Sequence, residues 1–578
     1  MSGNMDRWNV MKRLLRYIGK YRLLVPMSFA LAAVSVVSSL YVPIVIGQAI
    51  DLMIGPGHVL FADLAICLVK VIFAACMAGF STWVMDLVNN KIVYHTVQDL
   101  RDEMMAKIVR LPIPVLDTYQ TGDMTQRMIA DAEQVGDGLL LGTQQLFKGI
   151  LTILCTLVVM FSCSSPITVL ILVLTPLSFM VAKLIAHHSY DMFQKQNATR
   201  GKTTAFIQEA TVAQKVIRSY GGWHSFAKDL HGLNDELMTY SEKAVFWSSL
   251  TNPCTRAVNN LIYAATALAG IFAIDAGTMT VGGLSMMLSY ANQYMKPFND
   301  ITSVITEFQN ALSSAARIFA VLDDADEVDD GVISTDTVKG EIALQDVAFS
   351  YTDVPFMENL SITIKAGQKV ALVGATGSGK TTFMNLLMRF YEVQHGAIKI
   401  DGVDIRDIPR CELPSIFGMV LQDAWLKEGT IRENILFGKE DATEEEIIAA
   451  CRKACSWDFI RRMPNGLDEP IDASSLSQGE KQLLCITRVM LKKPPVLILD
   501  EATSSIDACT ERKVQDAFDA LMQDRTCIVA AHRLSTIRNA DMILVMENGQ
   551  IIEKGTHKEL LQHNGAYEKL YSAQFEGK

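Results

Sequence analysis

The sequence has no excess of positive charge. Its 578 residues carry 52 Lys and Arg against 63 Asp and Glu, a formal net charge of −11, so no nucleic acid is expected among its partners, which would require a basic face. It also lacks metal-site cysteine pairs. The 11 cysteines are scattered with no CxxC among them; Cys451 and Cys455 lie one helical turn apart, with no second pair or histidine nearby, and read as ordinary helix residues. Cys411, Cys485, Cys509 and Cys527 fit the same reading of reduced thiols in a cytosolic setting. No cleavable signal peptide is expected either, because the stretch through Arg22 is too polar. There Lys12, Arg13, Arg16, Lys20 and Arg22 interleave with Leu14, Leu15, Tyr17 and Ile18, which predicts a short amphipathic helix lying on a cytoplasmic membrane face.

Apolar residues are abundant. They make up 50% of the chain and mean hydropathy is +0.21 although 20% of residues are charged, so they must be concentrated. The length exceeds what one core serves, and at least two domains are expected. Long apolar runs fill the chain up to about Asp323; beyond it, short apolar strands alternate with polar helices. The expected organisation is a helical six-span transmembrane domain over 1–322, a linker over 323–340 containing the acidic Asp324–Asp330, and an α/β domain over 341–578. Spans of about 20 residues are placed near Leu24–Ile46, Leu64–Val88, Leu139–Ser162, Ile167–Ile185, Val258–Ile274 and Val281–Ile301, the last two less apolar. Asp51–Asp63, Cys163–Pro166 and Asp275–Thr280 contain no Lys or Arg, whereas 91–127 and 183–243 are rich in both, which puts both termini in the cytoplasm of a multi-pass plasma-membrane protein.

The two basic intervals are far longer than hairpin loops and keep helical periodicity, as at Leu100, Met104, Ile108 and Leu111, so the spans are expected to continue as helices beyond the bilayer. Breaks at Leu111–Pro114 and at Gly122 would leave 115–120 as a transverse tip able to press on a cytoplasmic domain. Polar groups in a span avoid lipid, so Arg256, Asn252, Asn259 and Asn260, with Asn292, Gln293 and Asn299, are expected at a bundle interior or wet cavity, beside Met286, Met287 and Met295. The candidate cavity residues are Arg256, Asn259, Met287 and Asn292; joining helices and filling gaps is the alternative role.

The chain's chemistry centres on Gly374, Ala375, Thr376, Gly377, Ser378, Gly379, Lys380, Thr381 and Thr382, between a strand-like Lys369–Val373 and a helix-like run. Glycines let successive backbone N–H groups and a helix start point at a phosphate; Lys380 neutralises it, and the Thr381 hydroxyl can ligate Mg²⁺. Val496–Asp500 is a buried-strand pattern ending in a carboxylate suited to Mg²⁺, with Glu501 next to it able to polarise an attacking water. Gln422 follows an apolar strand and can reach metal or water; His532 follows another and can contact a γ-phosphate.

The order of these motifs resembles the ATP-binding cassette of ABC transporters, and with the preceding spans the whole chain resembles an exporter-type half-transporter. The resemblance implies ATP and Mg²⁺ as ligands. It makes Tyr351 the aromatic that stacks on adenine, 374–382 the Walker A loop, and Gln422 the Q-loop. Leu476–Glu480, with Ser477, Gln478 and Gly479, becomes the signature; Asp500 and Glu501 become Walker B and the catalytic base, Asp507 belongs to the D-loop, and His532 is the switch histidine. Gly282–Leu284 and Arg317–Phe319 are similar to exporter landmarks. The family dimerises head to tail, so each ATP lies between one chain's Walker motifs and the other's signature.

Here the usual Leu-Ser-Gly-Gly-Gln is Leu476-Ser-Gln-Gly-Glu480, preceded by Asp468–Ser475 without its usual Gly-Glu-x-Gly character. An intact Glu501 beside an altered signature resembles the catalytically complete chain of bacterial heterodimeric exporters, so a second half-transporter chain is the expected partner; a homodimer, for instance a lipid flippase, is the alternative. The expected activity is ATP-driven export of an amphiphilic drug, lipid or peptide by alternating access. With no peptidase domain ahead of the first span, a leader-processing peptide exporter is disfavoured. The competing readings are a metal-chelate importer of exporter-like fold, a non-transport ATPase, and a channel or regulatory subunit using ATP as a clamp. The spans oppose the second, and intact Glu501 and His532 oppose the third.

Overall fold

The structure is a computed structural model and describes residues 7–53, 59–119, 121–329, 331–333, 338–421, 424–472, 475–500, 508–530 and 534–572. It divides into two compact units, Met1–Val109 with Tyr119–Asp324, and Arg110–Thr118 with Ala325–Lys578.

The first unit is helical: α1 (Arg7–Gly19), α2 (Leu24–Asp51), α3 (Phe61–Arg110), α4 (Ile113–Thr118), α5 (Thr121–Cys163), α6 (Ser165–Val212), α7 (Gln214–Ser219), α8 (Trp223–Asp275) and α9 (Val281–Asp323), with α4 and the end of α3 assigned to the second unit. Among the described residues α2, α3, α5 and α8 are long and apolar enough to cross a membrane, and α6 adds a shorter apolar stretch at Ser165–Leu177. The fourth and sixth expected spans fall on α6 and α9, continuous helices of 48 and 43 residues. At 50 residues α3 runs on the order of 75 Å, more than twice the hydrocarbon thickness. The predicted continuation of spans as helices is what the backbone does.

Two details differ from expectation. Gly122 lies inside α5, so the hairpin breaks at Leu111 and Pro112 and again ahead of Thr121; α4 starts at Ile113 and takes Pro114 in its first turn, where a missing N–H costs nothing. The second hairpin has its own short tip, α7, followed by Gly221 in the left-handed region at φ 66°. Helix α1 is amphipathic as predicted, and protein covers part of its apolar surface while Leu15 stays exposed. Val10, Leu14 and Tyr17, spaced one helical turn apart, are buried against Val97, Leu100 and Met104 of α3 and against Ile318 and Phe319 of α9.

Long-range polar contacts pin these helices. Asp131 on α5, 4% exposed, accepts from Arg317 Nε at 2.7 Å and Nη2 at 2.5 Å. Such a bidentate pair keeps a buried carboxylate satisfied. At the other end of α9, Asp51 accepts from the Gly282 amide at 2.7 Å and from the Thr280 hydroxyl at 2.8 Å. A Cβ on Gly282 would lie 2.0 Å from the Gly47 carbonyl oxygen, so only glycine permits this approach of α2 and α9.

The second unit contains β1 (Ile342–Phe349), β2 (Met357–Ile364), β3 (Lys369–Val373), β4 (His395–Ile400), β5 (Val403–Asp404), β6 (Phe417–Val420), β7 (Gly429–Thr430), β8 (Pro470–Ile471), β9 (Val496–Asp500), β10 (Thr526–Ala530), β11 (Met542–Glu547) and β12 (Gln550–Gly555). The central sheet has the order β12-β11-β3-β10-β9-β6, parallel except at β12; a second, antiparallel sheet has the order β2-β1-β4-β5. Parallel strands covered on both faces read as unbroken apolar runs, and these do. Ala371, Val373, Leu497, Leu499 and Val529 enter the core on one face; Val370, Leu372, Ile498, Ile528 and Leu544 enter that on the other. Helices α10 (Lys380–Leu387), α11 (Glu444–Lys453), α12 (Gln478–Lys492) and α13 (Ala508–Leu521) complete the α/β architecture.

Candidate functional site

Strand β3 lies between β10 and β11 and delivers its carboxyl end to the 374–379 turn, from which α10 departs. The turn is glycine-dependent. Gly377 and Gly379 have φ of 82° and 106°, and a Cβ on Gly374 would lie 2.3 Å from the Met546 carbonyl oxygen and 2.6 Å from Ser378 Oγ. The Ser378 amide donates to the Ala375 carbonyl at 3.1 Å, and the Gly549 amide of the β11–β12 hairpin donates to the Ser378 carbonyl at 3.0 Å, fixing the loop from behind.

The resulting surface is a cradle for an anion. Helix α10 has no side-chain cap and no acidic residue in its first turn, so its first amides lack side-chain partners and its dipole favours negative charge. Lys380 is buried and donates to the Gly374 carbonyl at 2.7 Å and the Ala375 carbonyl at 3.0 Å. Burial holds its ammonium below the ordinary lysine range, while the charge of Asp500, at the end of β9, opposes that shift. Ser378 Oγ is buried with no partner, a group waiting for a ligand atom. Ala375, Thr376, Gly377 and Thr381 line the exposed rim, while Thr382 turns inward.

Thr382 Oγ1 meets the Tyr351 hydroxyl at 2.9 Å. The Tyr351 ring is 50% exposed and packs edge-on against Phe349 at 4.8 Å and Tyr391 at 5.2 Å, leaving it open to a planar ligand. Tyr391 in turn donates to Asp117 of α4. Neither Tyr391 nor Asp117 was singled out by sequence; the Phe390-Tyr391 pair just after α10 was the available signal.

Helix α12 begins at the proposed signature. Ser477 is its N-cap, Gln478 is half-buried, Gly479 is buried, and the Glu480 carboxylate accepts from the Ser477 amide at 3.0 Å and from the Ser477 hydroxyl at 2.8 Å. Asp500 closes β9, level with Ala530 of β10. Gln422, Glu501, Asp507 and His532 lie outside the described residues.

Of the candidate cavity residues, Arg256 and Asn292 are exposed and Asn259 is half-buried. Met287 is instead fully buried with Val36, Leu40, Met160, Ile262 and Tyr290, the gap-filling role that its flexible thioether suits. The side chains of Asn252 and Asn299 lie outside those described.

Residues 25–298 match the ABC transporter transmembrane region, and residues 357–504 match the ABC transporter family. The chain is 38% identical over 499 residues, covering 86% of it and 79% of the relative, to a fatty acid ABC transporter ATP-binding/permease protein of Mycobacterium bovis. It is 32% identical over 578 residues, 99% of it and 98% of the relative, to an ATP-dependent lipid A-core flippase of Vibrio cholerae. A solved bacterial Atm1-family ABC exporter with ATP bound superposes with a TM-score of 0.77 at 25% identity, over 97% of this chain and 98% of that one. With its helical transmembrane domain followed by a nucleotide-binding, ATP-hydrolysing cassette, the chain belongs to the ABC transporter family and is an exporter-type half-transporter.

Proposed function

We propose that the chain exports a lipid-like amphiphile across a bacterial plasma membrane, as one half of a dimer driven by ATP. The observation that carries this reading is the open cradle at 374–380, with buried Lys380 and the unpartnered Ser378 hydroxyl, on a chain whose other half is membrane-spanning helices. The lipid class is favoured by relatives described as fatty acid and lipid A-core transporters. The proposed boundaries are 1–322 for the transmembrane domain, 323–340 for the linker and 341–578 for the cassette. Both termini face the cytoplasm, in keeping with the missing Lys and Arg at 51–63, 163–166 and 275–280.

In this reading Tyr351 stacks on adenine, and the amides of 374–382 with Lys380 bind the phosphates. The donor set fits Mg²⁺, a hard cation that takes oxygen ligands: the rim hydroxyl of Thr381, the carboxylate of Asp500, whose charge is felt by Lys380, and the Gln422 amide would hold it. Bound there, the ion neutralises charge on the phosphates. Glu501 orients and polarises the attacking water and His532 contacts the γ-phosphate. Ser477, Gln478 and Gly479 face a nucleotide held by the other chain. Arg256, Asn259 and Asn292 contribute to the substrate cavity.

A heterodimer is favoured over a homodimer by the altered signature beside an intact Glu501. ATPase activity of the full chain in lipid, alone and mixed with the product of its neighbouring gene, tests this. Activity only in the mixture, lowered about 10²-fold or more by Glu501→Gln, is expected. Activity of the chain alone, abolished by the same substitution, establishes the homodimer. Stimulation by fatty acid or lipid substrates, and its absence with metal chelates, tests the cargo class.

A further inference from the structure

The signature departs from its family at its last residue, and the structure gives that departure a physical role. At the start of α12 the Ser477 hydroxyl accepts from the Glu480 amide at 3.4 Å and donates to the Glu480 carboxylate at 2.8 Å, while that carboxylate also takes the Ser477 amide at 3.0 Å. Three other helices of the unit carry the same reciprocal cap, at Thr430 with Glu433, Thr443 with Glu446 and Thr556 with Glu559. At Thr430 and Thr443, among the described residues, the cap hydroxyl accepts from the amide but makes no bond to the carboxylate, whereas at Thr556 it also bonds the Glu559 carboxylate. At Ser477 the hydroxyl's single proton is committed to its own glutamate, and of these caps it is the one that lies in the signature.

We propose that Glu480 is a brake on nucleotide capture. Its carboxylate holds the Ser477 proton and fills, with its own negative charge, the helix start that a γ-phosphate must reach. The proposal rests on the reading that this signature completes a nucleotide site held by another chain. A serine hydroxyl has one proton to give. To give it to phosphate, Ser477 must break a charge-assisted bond, and the incoming anion must then sit beside a carboxylate that already satisfies the helix dipole. A neutral glutamine, the family's usual residue here, can accept from the Ser477 amide through its side-chain oxygen. It would keep the cap, hold the hydroxyl less tightly and add no charge. Glu480 therefore sets how much ATP is needed to close the site, a specificity-determining role distinct from catalysis.

The test uses the full chain in lipid nanodiscs, alone and with the product of its neighbouring gene. MgATP is titrated against turnover, and a fluorescent ATP analogue is titrated at equilibrium in the Glu501→Gln background. Glu480→Gln should lower the half-saturating concentration by roughly tenfold, the size of a charge–dipole effect at a partly buried helix end. Ser477→Ala alone should raise it, and the Glu480→Gln gain should shrink when Ser477→Ala is added. Glu480→Ala should lower Tm through loss of the cap yet still lower the half-saturating concentration, separating charge from capping. If Ser477→Ala raises the half-saturating concentration while Glu480→Gln leaves it unchanged or higher, the brake is overturned and the signature reading stands. A Glu480→Gln gain undiminished by Ser477→Ala also overturns the brake. If Ser477→Ala changes nothing in either preparation, the signature reading itself falls.

Discussion

Two helices of the nucleotide-binding unit begin at sites read as phosphate ligands, and they begin in opposite ways. Helix α10 follows Gly379 at φ 106°, carries no side-chain cap and has no acid in its first turn. Helix α12 follows Ser477 with a complete reciprocal cap from Glu480. The difference teaches that capping and anion binding compete for the same amides. A helix end that is to take a phosphate is left open at some cost in stability, and glycine at the preceding position is what makes an uncapped start possible. A capped end is stable alone and must give up its cap, or share it, to bind.

The largest effect that would break this comparison is at Lys380. Its Nζ rests on two loop carbonyls, ready to turn to phosphate. Lys380→Ala should weaken MgATP binding by about 100-fold, the equivalent of roughly 3 kcal/mol for hydrogen bonds to a charged group, read by equilibrium titration. The same residue gives a pH dependence with a fixed sign. Burial lowers the Lys380 pKa in the free protein, and a bound polyphosphate favours the charged form and raises it again. Binding therefore takes up a proton in the alkaline range, and affinity should fall as pH rises through the lowered pKa. The fall should flatten in Lys380→Arg, whose guanidinium stays charged. A flat profile in the wild-type chain would mean that Lys380 stays fully protonated across the range.

Glycine's part is tested next. Gly379→Ala forces a Cβ into a left-handed backbone, 3.1 Å from Met357 Cε and 3.2 Å from Gly549 Cα. A residue with a Cβ pays about 1–2 kcal/mol there, so Tm should fall by several degrees and ATP affinity by roughly tenfold. Gly466→Ala shares the left-handed φ, at 57°, but meets nothing within 4 Å; it should lower Tm alone. Equal losses of affinity in the two variants would remove the claim that the α10 start is shaped for a ligand.

Much of this was legible in the sequence, and the parts that were not share a cause. Local order carries far: the apolar run Val496–Leu499 is β9, the glycine spacing at 374–379 is the turn, and the periodicity at Leu100, Met104 and Ile108 is α3 beyond the bilayer. Partners distant along the chain do not show. Asp131 and Arg317 are 186 positions apart, and neither residue type names the other. Met287 was placed at a cavity because methionine suits both a wet surface and a dry gap, and only its neighbours decide between them. The protein partners of α1 are hidden for the same reason: an apolar stripe shows that a face is covered, not by what. The Glu480 carboxylate was visible as a departure from Gln, but its hold on the Ser477 proton is a matter of distance.

The smallest effect sharpens the comparison most. Thr443 caps α11 with the same reciprocal geometry that Ser477 gives α12, and it lies in no site assigned here. Replacing an N-cap hydroxyl by alanine costs about 1 kcal/mol, so Thr443→Ala and Ser477→Ala should lower the unfolding free energy of the unit by similar amounts in denaturant titrations. Nucleotide should then tell them apart. If the α12 cap is shared with a γ-phosphate, the same concentration of MgATP restores less stability to the Ser477→Ala protein than to the Thr443→Ala protein, because at a given concentration a ligand's stabilisation grows with the logarithm of its affinity. The gap between the two recoveries, about 1 kcal/mol by the worth of one hydrogen bond, is the part of the Ser477 hydroxyl that works on nucleotide rather than on the helix. Identical recoveries would make Ser477 and Thr443 caps of one kind, and the contrast between the two helix starts would then reduce to an open site and an ordinary capped helix.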